Sequence, residues 1–491
     1  MNESSSTIKS VLIAGMAVAV IGFTWRMAVV EGTELGLALC VVGVVSFFCL
    51  WSRKVFTIFA CCALASLNLN LLGIDPGDVL IPSLLFMGII LGHLNIRLLR
   101  FPSLFKIIFA AFCFFYSISI IDGNFVPASV GHLVLNIAFL CFLKLYVDSA
   151  EKMRHVLISL LVGAGLTSIL AIAAIVGIWV PGGMFFETVR DFRYMSLLGE
   201  PNILALLTVM LALWLLDELL DPKLLDVPRW MTAALLILVL AQIGLTLSRS
   251  GWLNLMVGLF CYVVWDVYKG RIKRAFWVGS AVISVLSASI GLLFAMEAED
   301  VLLGRIESFA FQESIGEQER FSLAYTKNAI DLAFDHPFGV GAGLTGQTLG
   351  QVSIDGMFLG AHNSYVQILS DNGWGPFFAL LAMLAYIGFS LIARMKHEET
   401  KFGLSYQFLI SGLAGLAADG MFHDLMEWNV AWILPALATI VLWPRFVPAR
   451  LQIAHRGPGV VPSVATRLSD QGAPQQASNL FRPRPSNTPK P

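Results

Sequence analysis

An arginine with a serine on either side stands in the run Thr246-Leu-Ser248-Arg249-Ser250-Gly251-Trp252, a tight break between two apolar stretches. A guanidinium is always charged and presents a rigid fork of donors. Flanking hydroxyls extend that set, so the trio suits phosphate oxygens. The competing use is an arginine that snorkels from a helix end to the lipid boundary. Two further arginines, Arg193 and Arg320, also sit in polar breaks, and His362 opens the run His362-Asn363-Ser364-Tyr365. A neutral imidazole can take a proton from a hydroxyl near neutral pH; a histidine at a helix mouth can equally be a satisfied structural residue. Arginines that hold phosphates, beside a histidine that activates an incoming hydroxyl, make a site for an anionic amphiphile. A diphosphate on a lipid is the natural candidate.

The elements that position these residues follow from composition. Of 491 residues, 57% are hydrophobic and 13% charged, with a mean hydropathy of +0.77; soluble domains carry about 25% charged residues. That excludes a soluble enzyme, a disordered chain and a disulfide scaffold, and leaves an all-α polytopic membrane protein. Apolar runs near the crossing length of roughly 20 residues fall at 9–29, 34–51, 55–74, 79–96, 103–121, 126–147, 155–180, 203–220, 230–247, 250–268, 275–296, 365–393, 404–422 and 427–445. About 12–14 transmembrane helices are expected, an even number being the firmer reading. Basic residues cluster in alternate breaks, for example Arg97, Arg100 and Lys106, then Lys269, Arg271, Lys273 and Arg274. By the positive-inside rule those breaks and both termini are cytoplasmic, with about 25 of the 32 basic residues on that side. The exceptions outside are Arg26, Arg190, Arg193, Arg249, Arg305, Arg320 and Lys327.

The chain then divides into helices over 1–296, a large external loop over 297–364, three last helices over 365–445 and a Pro-rich tail over 446–491. The tail cannot bury a core and is expected to be disordered, its positive charge suited to an anionic leaflet. In the external loop, Phe321, Tyr325, Ala329, Leu332 and Ala333 follow Arg320 at helical spacing, which predicts an amphipathic surface helix ending at Asp335-His336-Pro337. Gly341 to Gly346 matches GxGxxG, yet that fingerprint has meaning only inside a βαβ unit, so a turn of close backbone approach is expected instead. Asn202 is placed to cap a helix. The seven cysteines all fall in spans and are expected to be packing residues. The run Glu297-Ala-Glu299-Asp300 reads as a solvated charge run. Asp419, His423, Asp424 and Glu427, around the last outer turn, are supporting candidates.

Four pieces occur in order with a large external loop between late spans. They are Arg193 through Pro201-Asn202, the Ser248-Arg249-Ser250-Gly251 turn, Arg320 leading into Pro337-Phe-Gly339-Val-Gly341, and His362-Asn363-Ser364-Tyr365 with Gly373. This set resembles the O-antigen ligase and Wzy-type polymerase superfamily of bacterial envelope glycosyltransferases, by motif over roughly residues 180–380. The ligase pattern continues from the His-Asn pair through nine residues to Gly-x-x-Gly; here Gly373 fits, but Pro376 stands at the second position, with Gly375 before it.

The resemblance implies a helical, GT-C-like membrane glycosyltransferase at the outer face of the bacterial inner membrane. It would move a glycan from undecaprenyl diphosphate to a hydroxyl on a lipid or glycan acceptor, with no metal, cofactor or nucleic acid. Membrane lipids and envelope polysaccharide assembly proteins are the implied partners. Carried over by motif, Arg249 and Arg320 would engage the diphosphate, His362 would act as base or orient the acceptor, and Arg193, Ser248, Ser250, Asn363 and Tyr365 would contact substrate. Ligase, polymerase and transfer to protein share these motifs. A lipid or polysaccharide transporter is the alternative from another class, although no internal repeat of the kind transporters show is present.

Overall fold

The computed structural model describes residues 52–68, 76–96, 99–121, 125, 127–175, 201–246, 248–295, 317–350, 363–395, 402–422, 425 and 429–443. The expected spans at 9–29 and 34–51 lie outside them. The chain divides into Met1–Arg445, which holds every described residue, and Phe446–Pro491, which lies outside them.

Among the described residues the regular elements are all helical. In chain order they are α1 (Arg53–Ala65), α2 (Pro76–Ile90), α3 (Ser103–Ile121), α4 (Pro127–Tyr146) and α5 (Ala150–Ile175). Next come α6 (Pro201–Leu220), α7 (Arg229–Thr246), α8 (Arg249–Tyr268) and α9 (Ile272–Ala295). The remainder are α10 (Glu317–Asp335), the single turn α11 (Thr345–Thr348), α12 (Ser364–Asn372), α13 (Trp374–Arg394), α14 (Tyr406–Asp419) and α15 (Ile433–Leu442). Their starts are legible chemistry. Pro76, Pro127 and Pro201 each open a helix, where the missing N–H costs nothing. Ser52 and Ser405 cap α1 and α14 by accepting from Val55 N and Phe408 N at 3.3 and 3.0 Å.

Five of these helices are long and apolar enough to cross a membrane, namely Ser103–Ile120, Ser129–Tyr146, Asn202–Leu220, Arg249–Tyr268 and Trp374–Arg394. The protein is a polytopic membrane protein. α6 is apolar all round until Asp217 and Glu218 in its last turn, and 89% of its spanning window is buried, as a helix at the centre of a bundle should be. It packs on α7, α8 and α14, while α3 packs on α13, and α1, α2, α4 and α5 close the other side. Outward faces present Phe86, Ile107, Phe260 and Phe389, the surface that lipid would cover. Lipid is as apolar as leucine, so the inner contacts rely on close approach of small residues. A Cβ on Gly258 would lie 2.8 Å from Leu213 Cδ1, and one on Gly415 would lie 2.6 Å from the Asn254 carbonyl oxygen.

One expected element differs. The apolar run 365–393 is two helices, α12 and α13, interrupted at Gly373, whose φ of +84° no L side chain adopts easily. Hydropathy alone reads through such a break because both flanks are apolar.

Candidate functional site

The arginine turn is built by its serines. Ser248 caps α8: its Oγ accepts from Gly251 N at 3.1 Å, donates to Asn202 Oδ1 at 2.7 Å and lies 3.1 Å from Ser250 Oγ. Thr246 Oγ1 donates to Ile243 O at 2.7 Å and receives Ser248 N at 3.3 Å. Ser248 and Ser250 are therefore buried and internally bonded, rather than facing out with hydroxyls open to a phosphate. Between them, half-buried Arg249 is the first residue of α8. Asn202 is the second residue of α6 rather than the residue before it, so its side chain ties α6 to α8 instead of capping its own helix.

A second tie reaches α14. Ser250 and Asn254 face the carboxylate of Asp419, the last residue of that helix and 1% exposed. From there the chain of contacts runs to α12. Ser364 N donates to Gly420 O at 2.9 Å, Tyr365 Oη donates to Ala417 O at 2.9 Å, and Leu425 N donates to Ser364 Oγ at 2.5 Å. Asn363 caps α12, its Oδ1 accepting from Tyr365 N and Val366 N at 3.0 and 3.1 Å. The first turns of α6, α8 and α12 thus meet the last turn of α14 at one end of the bundle. Helix N-termini carry a partial positive charge, so these three starts and Arg249, gathered at one end of the bundle, favour an anion there.

The glycine-rich run is a strap across the end of α12. Val340 N donates to Ser370 O at 3.0 Å, Gly341 N to Asp371 O at 2.9 Å and Trp374 N to Pro337 O at 3.1 Å. At the crossing a Cβ on Gly339 (φ +85°) would sit 2.3 Å from Asp371 O, and one on Gly373 would sit 2.4 Å from Pro337 O. Only glycine fits either side. Asp371 fastens the strap: its Oδ1 accepts from Thr345 N and Oγ1 at 2.9 and 2.5 Å, and its Oδ2 from Gln367 Nε2 at 2.5 Å. Burial pushes this carboxyl up to about 6, against the pull of those hydrogen bonds.

α10 ends at Asp335, as the proline at 337 predicts. Its apolar face, Tyr325 and Ala329, is buried against Val366 of α12. Arg320 lies in the first turns of this helix, and its side chain is outside the described residues. Arg193 and His362 also lie outside them, as do Glu297 to Asp300, His423, Asp424 and Glu427. The Pro376 departure has a local reason. Pro376 falls in the first turn of α13, where a proline is tolerated, and Gly375 lets Phe115 of α3 approach to 2.5 Å of where a Cβ would stand.

Asp371, Thr345 and Gln367 were not singled out by sequence. Each is an ordinary polar residue in an apolar or glycine-rich stretch, and only the crossing gives it a partner. The described cysteines Cys61, Cys62, Cys113, Cys141 and Cys261 are free thiols. Among the described residues no three His, Cys, Asp or Glu side chains gather as a metal ion would require.

Residues 233–380 match the family described as O-Antigen ligase. No curated protein matches the chain. The matched segment runs from α7 through the arginine turn, α10, the glycine strap and α12 into α13, and so contains the elements just assembled. It places the chain in cell-surface polysaccharide biosynthesis, as a membrane protein of glycosyltransferase type. Residues 233–380, just under a third of the chain, are thus similar to the O-antigen ligase family and carry the arginine turn, the strap and α12 together.

Proposed function

We propose that this protein transfers a glycan from an undecaprenyl-diphosphate carrier to a hydroxyl acceptor at the outer face of the bacterial inner membrane. The observation that supports it most is Arg249 at the start of α8, at the bundle end where the starts of α6 and α12 are joined through Ser248–Asn202 and Ser364–Gly420. In this reading Arg249 and Arg320 hold the diphosphate, with Arg193 assisting. The acceptor oxygen bonds to the anomeric carbon, the bond from that carbon to the diphosphate oxygen breaks, and His362 takes the acceptor proton. The arginines then stabilise the charge left on undecaprenyl diphosphate. Ser248 and Ser250 serve by fixing Arg249, and Asn363 and Tyr365 by fixing the start of α12. No metal or other cofactor is assigned to the step.

Reconstitution with a lipid-diphosphate-linked glycan and candidate acceptors tests this. Wild type should form a new glycosidic bond, and Arg249→Ala, Arg320→Ala and His362→Ala should lose transfer while remaining folded. Full activity in Arg249→Ala would sink the assignment. Product size separates ligation of a finished polymer from polymerisation of repeat units, and movement of labelled lipid without a new bond would favour a transporter.

A further inference from the structure

A second charged site lies at the other end of α8. That helix has 20 residues, so its ends stand about 30 Å apart. The end away from Arg249 opens into a small pocket of about 80 Å³, continuous with solvent at its mouth, between α6, α8, α9 and α14. Its lining carries Lys223, Lys269, Arg271 and Arg274 against the carboxylates Asp217 and Asp221.

The walls are rigid. Glu218, 2% exposed, accepts from the backbone N–H groups of Lys223, Leu224 and Leu225 at 3.0 to 3.1 Å, which folds the turn that delivers Lys223. Lys223 pairs with Asp221 at 2.9 Å. Buried Asp266 receives Arg274 through both of its oxygens, and Gln407 Nε2 donates to Tyr262 O at 2.9 Å. Tyr262 Oη donates in turn to Asp217 Oδ1 at 3.0 Å. Lys269 and Arg271 add two more positive charges at the mouth, beside the Lys223–Asp221 and Arg274–Asp266 pairs.

The rim is apolar and aromatic. Tyr268, Ile272, Phe276 and Trp277 are 65% to 75% exposed, and Lys269 Nζ lies 5.5 Å from the centre of the Trp265 ring. Aromatic side chains beside a basic pocket mark the headgroup level of a membrane, and basic pockets between transmembrane helices hold anionic headgroups. We propose that this pocket binds a phosphate group, carried by an anionic phospholipid whose chains lie over Phe276 and Trp277. It is a lipid site separate from the one around Arg249 and independent of the glycan reading.

The full chain in neutral detergent is titrated with dioleoylphosphatidylglycerol, dioleoylphosphatidylcholine or inorganic phosphate. Readouts are thermal stability and acylation of Lys269 by an amine reagent, located by mass spectrometry. Phosphatidylglycerol should raise Tm and protect Lys269, whereas phosphatidylcholine should do neither. The variant Lys269→Gln/Arg271→Gln should bind roughly 30-fold more weakly, each cation near a headgroup contributing about one kcal/mol. Should that variant not fold, Lys269→Gln alone gives the same comparison on Tm at roughly a fivefold loss. Equal protection by inorganic phosphate would assign the site to soluble phosphate. Equal response to both lipids, or an unchanged response in the variant, would overturn the proposal.

Discussion

Arg249 owes its position to neighbours that point inward. Ser248 bonds to Gly251 N and Asn202, and Ser250 is buried facing Asp419, so half-buried Arg249 opens α8 between two inward-facing hydroxyls. Two substitutions separate charge from placement. Arg249→Lys keeps the positive charge and loses the fork, so transfer should fall to well below wild type yet stay above Arg249→Ala, whose loss is expected at about 100- to 1,000-fold. Ser248→Ala removes a helix cap, at about 1 kcal/mol, and leaves Asn202 without its hydroxyl donor. It should lower both Tm and turnover, with Ser248→Thr restoring most of each because the hydroxyl returns. A Ser248→Ala enzyme with normal stability and normal transfer would show that the cap does not hold Arg249. The tight turn at Ser248-Arg249-Ser250 between two helices is readable from the sequence alone. Its inner hydrogen bonds are not, because Asn202 is remote in sequence and reaches Ser248 only through packing of α6 on α8.

Helix starts and stops show the same division at the scale of elements. The stop of α10 at Asp335, two residues before Pro337, could be placed from the chain itself, whereas the starts at Pro76, Pro127 and Pro201 fall within a few residues of the apolar runs. The break at Gly373 could not be so placed, since its cause is the Pro337–Gly339 segment crossing α12 from the far side. That crossing predicts that Gly339→Ala and Gly373→Ala each force the strap off the helix end, lowering Tm and transfer together; either variant behaving as wild type would disprove the close approach. Asp371 adds a pH dependence. Its folded pKa of about 6 is above the ordinary 3.8, so the native state holds the proton more tightly than the unfolded chain. The associated stability is present below about pH 4 and disappears as pH rises through about 6, on the order of 3 kcal/mol in all. Asp371→Asn keeps an acceptor for Thr345, and the Gln367 amide can turn to meet the new NH2 group. Its Tm should therefore lack the part of the decline between pH 4 and 6 that wild type shows; parallel profiles would exclude Asp371 as the titrating group.

At the scale of the whole molecule, charge is sorted by bundle end. Arg249 and the α6, α8 and α12 starts share one end, and Lys269, Arg271, Lys273 and Arg274 share the other. Two cations inside the bundle have a different use: buried Lys144 donates to Thr439 O at 2.6 Å, and Arg394 donates to Leu442 O, both at the negative end of α15. Counting basic residues along the chain assigns Lys144 no such role, because its acceptors come from a helix 295 residues later. The sorted charges nevertheless make a sidedness prediction. α10 is packed on α12, whose first turn meets the Arg249 end, so exposed Lys327 belongs to that end and exposed Lys273 to the other. With the seven native cysteines replaced, a single cysteine at Lys327 should react with a membrane-impermeant maleimide on intact spheroplasts. One at Lys273 should react only after the membrane is opened, because positive charge is retained on the cytoplasmic side. The reverse pattern would invert the proposed topology and place the Arg249 end in the cytoplasm, away from any acceptor on the outer face. Labelling of both cysteines from the same side would contradict the two-ended arrangement of α8 itself.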